Sequence, residues 1–104
     1  MKTINKKGLW FYGLSGSGKS YASKIVTKRK KKSFLIDGDY VRKFISKDLG
    51  YTLRDRKIQI RRVLGIVRIS LKSNLFPIVS TVYMDRYVAK NLRKLKINLI
   101  KLYK

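Results

Sequence analysis

Gly13-Leu14-Ser15-Gly16-Ser17-Gly18-Lys19-Ser20 satisfies G-x-x-x-x-G-K-[ST] at every fixed position. Glycines at those places let the backbone turn so that successive amides converge on an anion. The lysine can reach the outer oxygens of a polyphosphate, and the Ser20 hydroxyl is the ligand that such loops offer to Mg²⁺. A flexible glycine–serine loop with a chance lysine would have the same composition. Position favours phosphate binding. Gly8-Leu9-Trp10-Phe11-Tyr12 before the loop reads as a buried strand. After it, Ala22, Ile25 and Val26 recur at helical spacing. A helix opening behind the loop adds its free N–H groups and positive end. A nucleotide polyphosphate is the expected ligand.

Asp37-Gly38-Asp39 is the second constellation, placed after the strand candidate Ser33-Phe34-Leu35-Ile36. In a parallel sheet it lies on the same carboxyl edge as the phosphate loop, where open α/β sheets bind ligands. A carboxylate there can hold Mg²⁺, directly or through water, or orient an incoming hydroxyl. The plainer alternative is a strand-to-helix turn in which Asp39 caps the helix. Arg42, Arg56, Arg61 and Arg62 form a third group, whose planar forks suit phosphate or sulfate. In so basic a chain an arginine is as readily a solvated surface residue. Arg42 has the best spacing, one helical turn beyond Asp39. Tyr51 can stack on a base or pack as an amphipathic core residue.

The elements that must position these residues follow from periodicity. Val41, Phe44 and Ile45 suggest a short helix closed before Gly50. Thr52-Leu53-Arg54-Asp55 reads as a capping box, the carboxylate reaching back to the N-cap amide. It opens the longest helix, near 53–73, with Ile60, Val63, Leu64, Val67 and Leu71 on its apolar face. Pro77 suits a strand start, and Ile78-Val79-Ser80-Thr81-Val82 is β-branched enough for a third strand. Val88, Leu92 and Leu95 outline a helix near 85–95, and 97–103 reads as a fourth strand. The order β-α-β-α-α-β-α-β is that of a parallel sheet covered by helices.

The 104 residues fit one domain, and 44% apolar residues can build a core. Lacking Cys and His, the chain offers no disulfide, thiolate or imidazole metal site and no His-dependent triad. No apolar run is long enough to span a membrane, and residues 1–7 carry no cleavage pattern, so a reduced cytoplasmic setting is expected. Lys and Arg number 27 against 5 acids, all Asp, for a net charge of +22. That balance attracts polyanions, whether nucleotide, nucleic acid or anionic membrane surface. A general bias toward Lys, Ile, Asn and Tyr accounts for it more readily.

Taken in order, these segments resemble the adenylyl-sulfate kinases. The likeness begins at Trp10-Phe11-Tyr12 with the loop through Ser20 and continues at Asp37-Gly38-Asp39-Tyr40-Val41-Arg42. It resumes at Leu49-Gly50-Tyr51-Thr52, Asp55-Arg56 and Ile60-Arg61-Arg62, then runs through Ile78-Val79-Ser80. The resemblance implies a P-loop NTPase-like three-layer α/β sandwich with a parallel sheet of about four strands. It also implies transfer of the ATP γ-phosphate to the 3′-hydroxyl of adenylyl sulfate, with Mg²⁺. Residues 13–20 would bind ATP, and Lys19, Asp37 and Asp39 would be catalytic. Ser20 and Asp37 would hold the metal. Asp39, Arg42, Tyr51, Arg56, Gln59, Ile60 and Arg62 would face adenylyl sulfate. A homodimer is left open, no membrane partner is expected, and nucleic acid would bind only by nonspecific electrostatics.

This chain departs from the pattern in three places. Gln59 stands where relatives usually carry Asn, and Thr81-Val82-Tyr83-Met84-Asp85-Arg86 lacks the usual serine–proline pair. Relatives also run on past the fourth strand into a closing lid and a last strand. Residues 1–104 are therefore expected to be a single kinase-like domain, incomplete relative to the family. The rival expectations are a related small-molecule kinase and an inactive basic fragment that binds ATP or nucleic acid.

Overall fold

The computed structural model describes residues 6–14, 16 and 18–103. Strand β1 (Gly8–Tyr12) leads through the glycine loop to helix α1 (Lys19–Arg29) and strand β2 (Ser33–Asp37). Helices α2 (Gly38–Phe44) and α3 (Leu53–Lys72) follow, then β3 (Phe76–Thr81), α4 (Arg86–Lys94) and β4 (Ile97–Lys101). The four strands are parallel, in the order β2-β3-β1-β4. Chain direction across the sheet reverses after β2. Right-handed crossovers therefore put α1 on one face and α3 and α4 on the other.

Alternation along the strands divides the apolar residues between those faces. Trp10, Ile36 and Val79 form one buried cluster with Ile60, Val63, Leu64 and Val67 of α3 and Val88 and Leu92 of α4. The 3.6-residue period of α3 is what aligns its four residues on the sheet. Phe11 and Ile78, also buried, stand outside that cluster. Helix α1 buries only Ser23 completely. Its inner side is tied by hydroxyls: Ser23 donates to the Ser20 carbonyl, Thr27 to that of Ser23, and Ser33 to that of Thr27.

Two sequence expectations change. Val41 is buried in α2, but Phe44 and Ile45 are 70% and 55% exposed, because the seven-residue helix ends before a second turn can reach the core. The capping box at Thr52 is half formed. Thr52 Oγ1 accepts from the Asp55 amide at 3.1 Å, whereas Asp55 Oδ2 accepts from the Gly50 amide at 2.8 Å. The chain at Gly50 folds over the start of α3 and brings its own amide to the carboxylate. Among the described residues no helix is long and apolar enough to cross a membrane.

Candidate active site

Register places the two anion-handling segments side by side. Phe11 of β1 and Asp37 of β2 both pair with Ser80 of β3, so the ends of three adjacent strands share one edge. The phosphate loop leaves β1 there. Gly13, Gly16 and Gly18 take φ values of 155°, 84° and 94°. At Gly18 a Cβ would meet nothing within 4 Å, so the glycine is required for backbone hand rather than for space. The Gly13 amide donates to the Thr81 carbonyl, fixing the loop's first residue to β3. Leu14 is exposed on the far side of the loop, near Met84 and Tyr103. Ser15 and Ser17, expected in the phosphate cradle, lie outside the described residues.

Asp37 ends β2 and is the N-cap of α2, its Oδ1 accepting from the Asp39 amide at 2.9 Å. The cap is thus Asp37, not Asp39, because the helix starts at Gly38 and the Asp37 backbone is extended. Asp39 is left exposed in the first helical turn. Gly38 lets α2 lie against β3, since a Cβ there would stand 3.1 Å from the Ser80 carbonyl oxygen.

A cavity of about 320 Å³ opens between these segments. Lys19 and Ser20 form one wall and Asp37 and Asp39 another. Arg42, Tyr51, Arg56, Gln59 and Ile60 complete the side provided by α2 and α3. Nine of the residues singled out in the sequence therefore surround one space. Three cations and two carboxylates face each other there, an arrangement suited to a polyphosphate with a divalent cation.

Tyr51 is 69% exposed, which excludes the core role. Two guanidinium groups lie close to its ring at the rim. Arg42 lies 4.2 Å from the ring centroid and donates to the Gly50 carbonyl. Arg56 lies 5.8 Å from it and donates through Nε to the Tyr51 carbonyl. A planar base could extend this stack. Gln59 is buried. Its Nε2 donates to the Gly38 carbonyl at 3.2 Å, and its Oε1 has no partner among the described residues.

Arg62 is elsewhere. It forms a bidentate pair with Asp48 at 2.7 and 2.9 Å and also donates to Ser46. The hydrogen bond from Arg62 lowers the Asp48 carboxyl pKa, and Asp48 raises that of Arg62. Arg61 stacks 4.3 Å over Tyr87, also away from the cavity.

Ser80 and Thr81 at the end of β3, with Val82 and Tyr83 just beyond it, also line the cavity, as expected of the altered 81–86 segment on the acceptor side. Thr81 accepts a buried 2.7 Å hydrogen bond from the Trp10 indole and donates to the Tyr83 carbonyl. The segment that departs from the resembled pattern is therefore part of the cavity wall.

Ser20 and Asp37 supply a hydroxyl and a carboxylate. Both are hard oxygen donors, and a site with few protein ligands suits Mg²⁺, which keeps its waters. Asp37 Oδ1 is occupied by the Asp39 amide, and Oδ2 meets no donor among the described residues.

Comparison with known proteins gives the family. The family profile for adenylylsulphate kinase matches residues 5–104. An adenylyl-sulfate kinase of Buchnera aphidicola is 41% identical over 78 residues, covering 71% of this chain and 38% of that protein. Adenylyl-sulfate kinase 3 of Arabidopsis thaliana is 39% identical over 87 residues, covering 78% of this chain and 42% of that protein. The chain thus spans about two fifths of the length of these two relatives. The solved Mycobacterium tuberculosis APS kinase CysC in complex with AMPPNP and APS superposes with a TM-score of 0.69 at 26% identity. That match covers 95% of this chain and 62% of the other. With the profile running through nearly every residue, the chain belongs to the adenylylsulphate kinase family.

Proposed function

We propose that the chain transfers the γ-phosphate of ATP to the 3′-hydroxyl of adenylyl sulfate, giving 3′-phosphoadenylyl sulfate and ADP. Residues 1–104 would act as one kinase-like unit, working in the cytoplasm. The observation that carries this reading is the single cavity shared by Lys19 and Ser20 with Asp37, Arg42, Arg56, Gln59 and Ile60.

In this scheme the loop amides and the Lys19 ammonium hold the β- and γ-phosphates. Ser20 and Asp37 hold Mg²⁺, which neutralises charge on the transferring group when bound. Arg42 and Arg56 face the sulfate and phosphate of the acceptor, and the Tyr51 ring stacks on its base. Asp39 stands in the first turn of α2 beside them. The 3′-oxygen forms the new P–O bond, the β–γ bridge breaks, and the hydroxyl proton leaves to solvent. Positioning and charge neutralisation carry the step more than proton abstraction does.

A transfer assay with γ-labelled ATP tests this. Label is expected on 3′-phosphoadenylyl sulfate, and label found only as free phosphate would overturn acceptor phosphorylation. Lys19→Ala should weaken Mg·ATP binding at least about tenfold. Equal affinities in the two proteins would remove the loop from the mechanism.

The unpartnered Gln59 Oε1 and the Thr81–Tyr83 wall favour a second reading, a related nucleotide-derivative acceptor. An acceptor with one more donor than adenylyl sulfate, phosphorylated at higher kcat/KM, would establish it.

A further inference from the structure

The opposite edge of the sheet carries an open hollow of about 710 Å³. Lys7 enters it ahead of β1, Lys31 and Lys32 from the α1–β2 turn, Lys72 from the end of α3, and Lys94 and Lys96 from the α4–β4 turn. Arg68 lines it as well while donating to Asn91. None of the chain's five acids does. Each acid is engaged elsewhere. Asp37 and Asp85 are N-caps, Asp39 and Asp55 sit in first helical turns, and Asp48 pairs with Arg62.

Three helices end at this edge, and cations are favourable at helix C-termini. At about half an elementary charge each, three termini supply roughly 1.5 negative charges. Seven cations line the hollow, so most of their charge has no internal counterpart. Two of them are also kept at a conformational cost. Lys32 and Lys96 take φ values of 59° and 62°, a region where glycine or asparagine is cheaper. The floor is apolar, built from Leu71, Leu75, Leu95 and the half-buried ring of Phe76, over which Lys30 Nζ sits at 4.7 Å.

We propose that this hollow binds single-stranded nucleic acid without sequence preference, its phosphates among the lysines and a base against the Phe76–Leu75 floor. Exposed cations around a concave apolar floor match a flexible strand, whose charged backbone and flat bases alternate, better than a planar bilayer surface. The site is separate from the nucleotide cavity, which lies at the other end of the same strands.

The test uses the full chain and a fluorescent oligodeoxythymidine of about 15 nucleotides. The triple variant K31Q/K72Q/K94Q removes three charges from the hollow at positions with ordinary backbone. K24Q/K47Q/K57Q removes three exposed charges elsewhere and controls for net charge. Thermal melts by circular dichroism establish that both are folded. The hollow triple should lose at least about tenfold in affinity and reduce the logarithmic salt slope by about 2, the control losing less than about twofold. Lys19→Ala should leave oligonucleotide binding unchanged. Equal losses in the two triples would overturn the site. Inorganic polyphosphate competing as well as the oligonucleotide would overturn the nucleic-acid assignment. So would a hollow triple that loses binding to phosphatidylserine vesicles while keeping the oligonucleotide.

Discussion

The two faces of the sheet are covered by different chemistry. On the α3/α4 face, Trp10, Ile36 and Val79 meet six branched aliphatic residues, all nearly inaccessible. On the α1 face the helix offers half-buried Ala22, Ile25 and Val26 and a row of hydroxyls that bond back to its own carbonyls. Such back-bonding satisfies polar groups but adds little apolar burial, and it slightly weakens a helix. The proposed ATP-holding residues Lys19 and Ser20 stand on the lightly covered helix. The proposed acceptor-side residues Gln59 and Ile60 stand on the one that anchors the core. Stability and phosphate binding are thus assigned to different layers, so substitutions in the two should separate them.

The largest effect should come from the dense face. Leu64→Ala should cost about 3 kcal/mol, read from the denaturant midpoint at unchanged m-value. A loss near that of an exposed site would mean the core lies elsewhere. Ile25→Ala should cost about 1 kcal/mol, because much of that side chain is already in water. If its cost equalled that of Leu64→Ala, the asymmetry between the faces would disappear. The smallest effect concerns the exposed Asp48–Arg62 pair. Its depressed carboxyl pKa contributes stability above the unfolded value of about 3.9, lost as pH falls through the lower folded value. Asp48→Asn should slightly lower the melting temperature near neutrality, and the difference from wild type should vanish as pH falls through the folded Asp48 value. Added salt should shrink the difference.

Element order was legible in the sequence because it rests on local patterns. The run Gly8–Tyr12 and the period of Ile60, Val63, Leu64 and Val67 each state an element without reference to the rest of the chain. What escaped was relational. Arg62 and Asp48 sit 14 positions apart on different elements, and no spacing rule pairs them. Phe44 and Ile45 keep helical spacing yet face water, since spacing does not say where a short helix stops relative to a core. The cavity wall from Ser80 to Tyr83 exists because β3 inserts between β2 and β1, an order that the linear pattern leaves open. The phosphate loop and Asp37 turn were readable because both follow strand ends, which a parallel sheet collects on one edge.

The placement of β1 has a kinetic consequence. It is synthesised before the other described elements, yet its hydrogen-bonding neighbours are β3 and β4 rather than the next strand, β2. Until those residues emerge from the ribosome, Leu9, Trp10 and Phe11 have no strand to join and remain available to chaperones or to other nascent chains. Pairing β1 with β3 closes a loop from Leu9 to Ile78, so folding should be slow and gated by docking of β3.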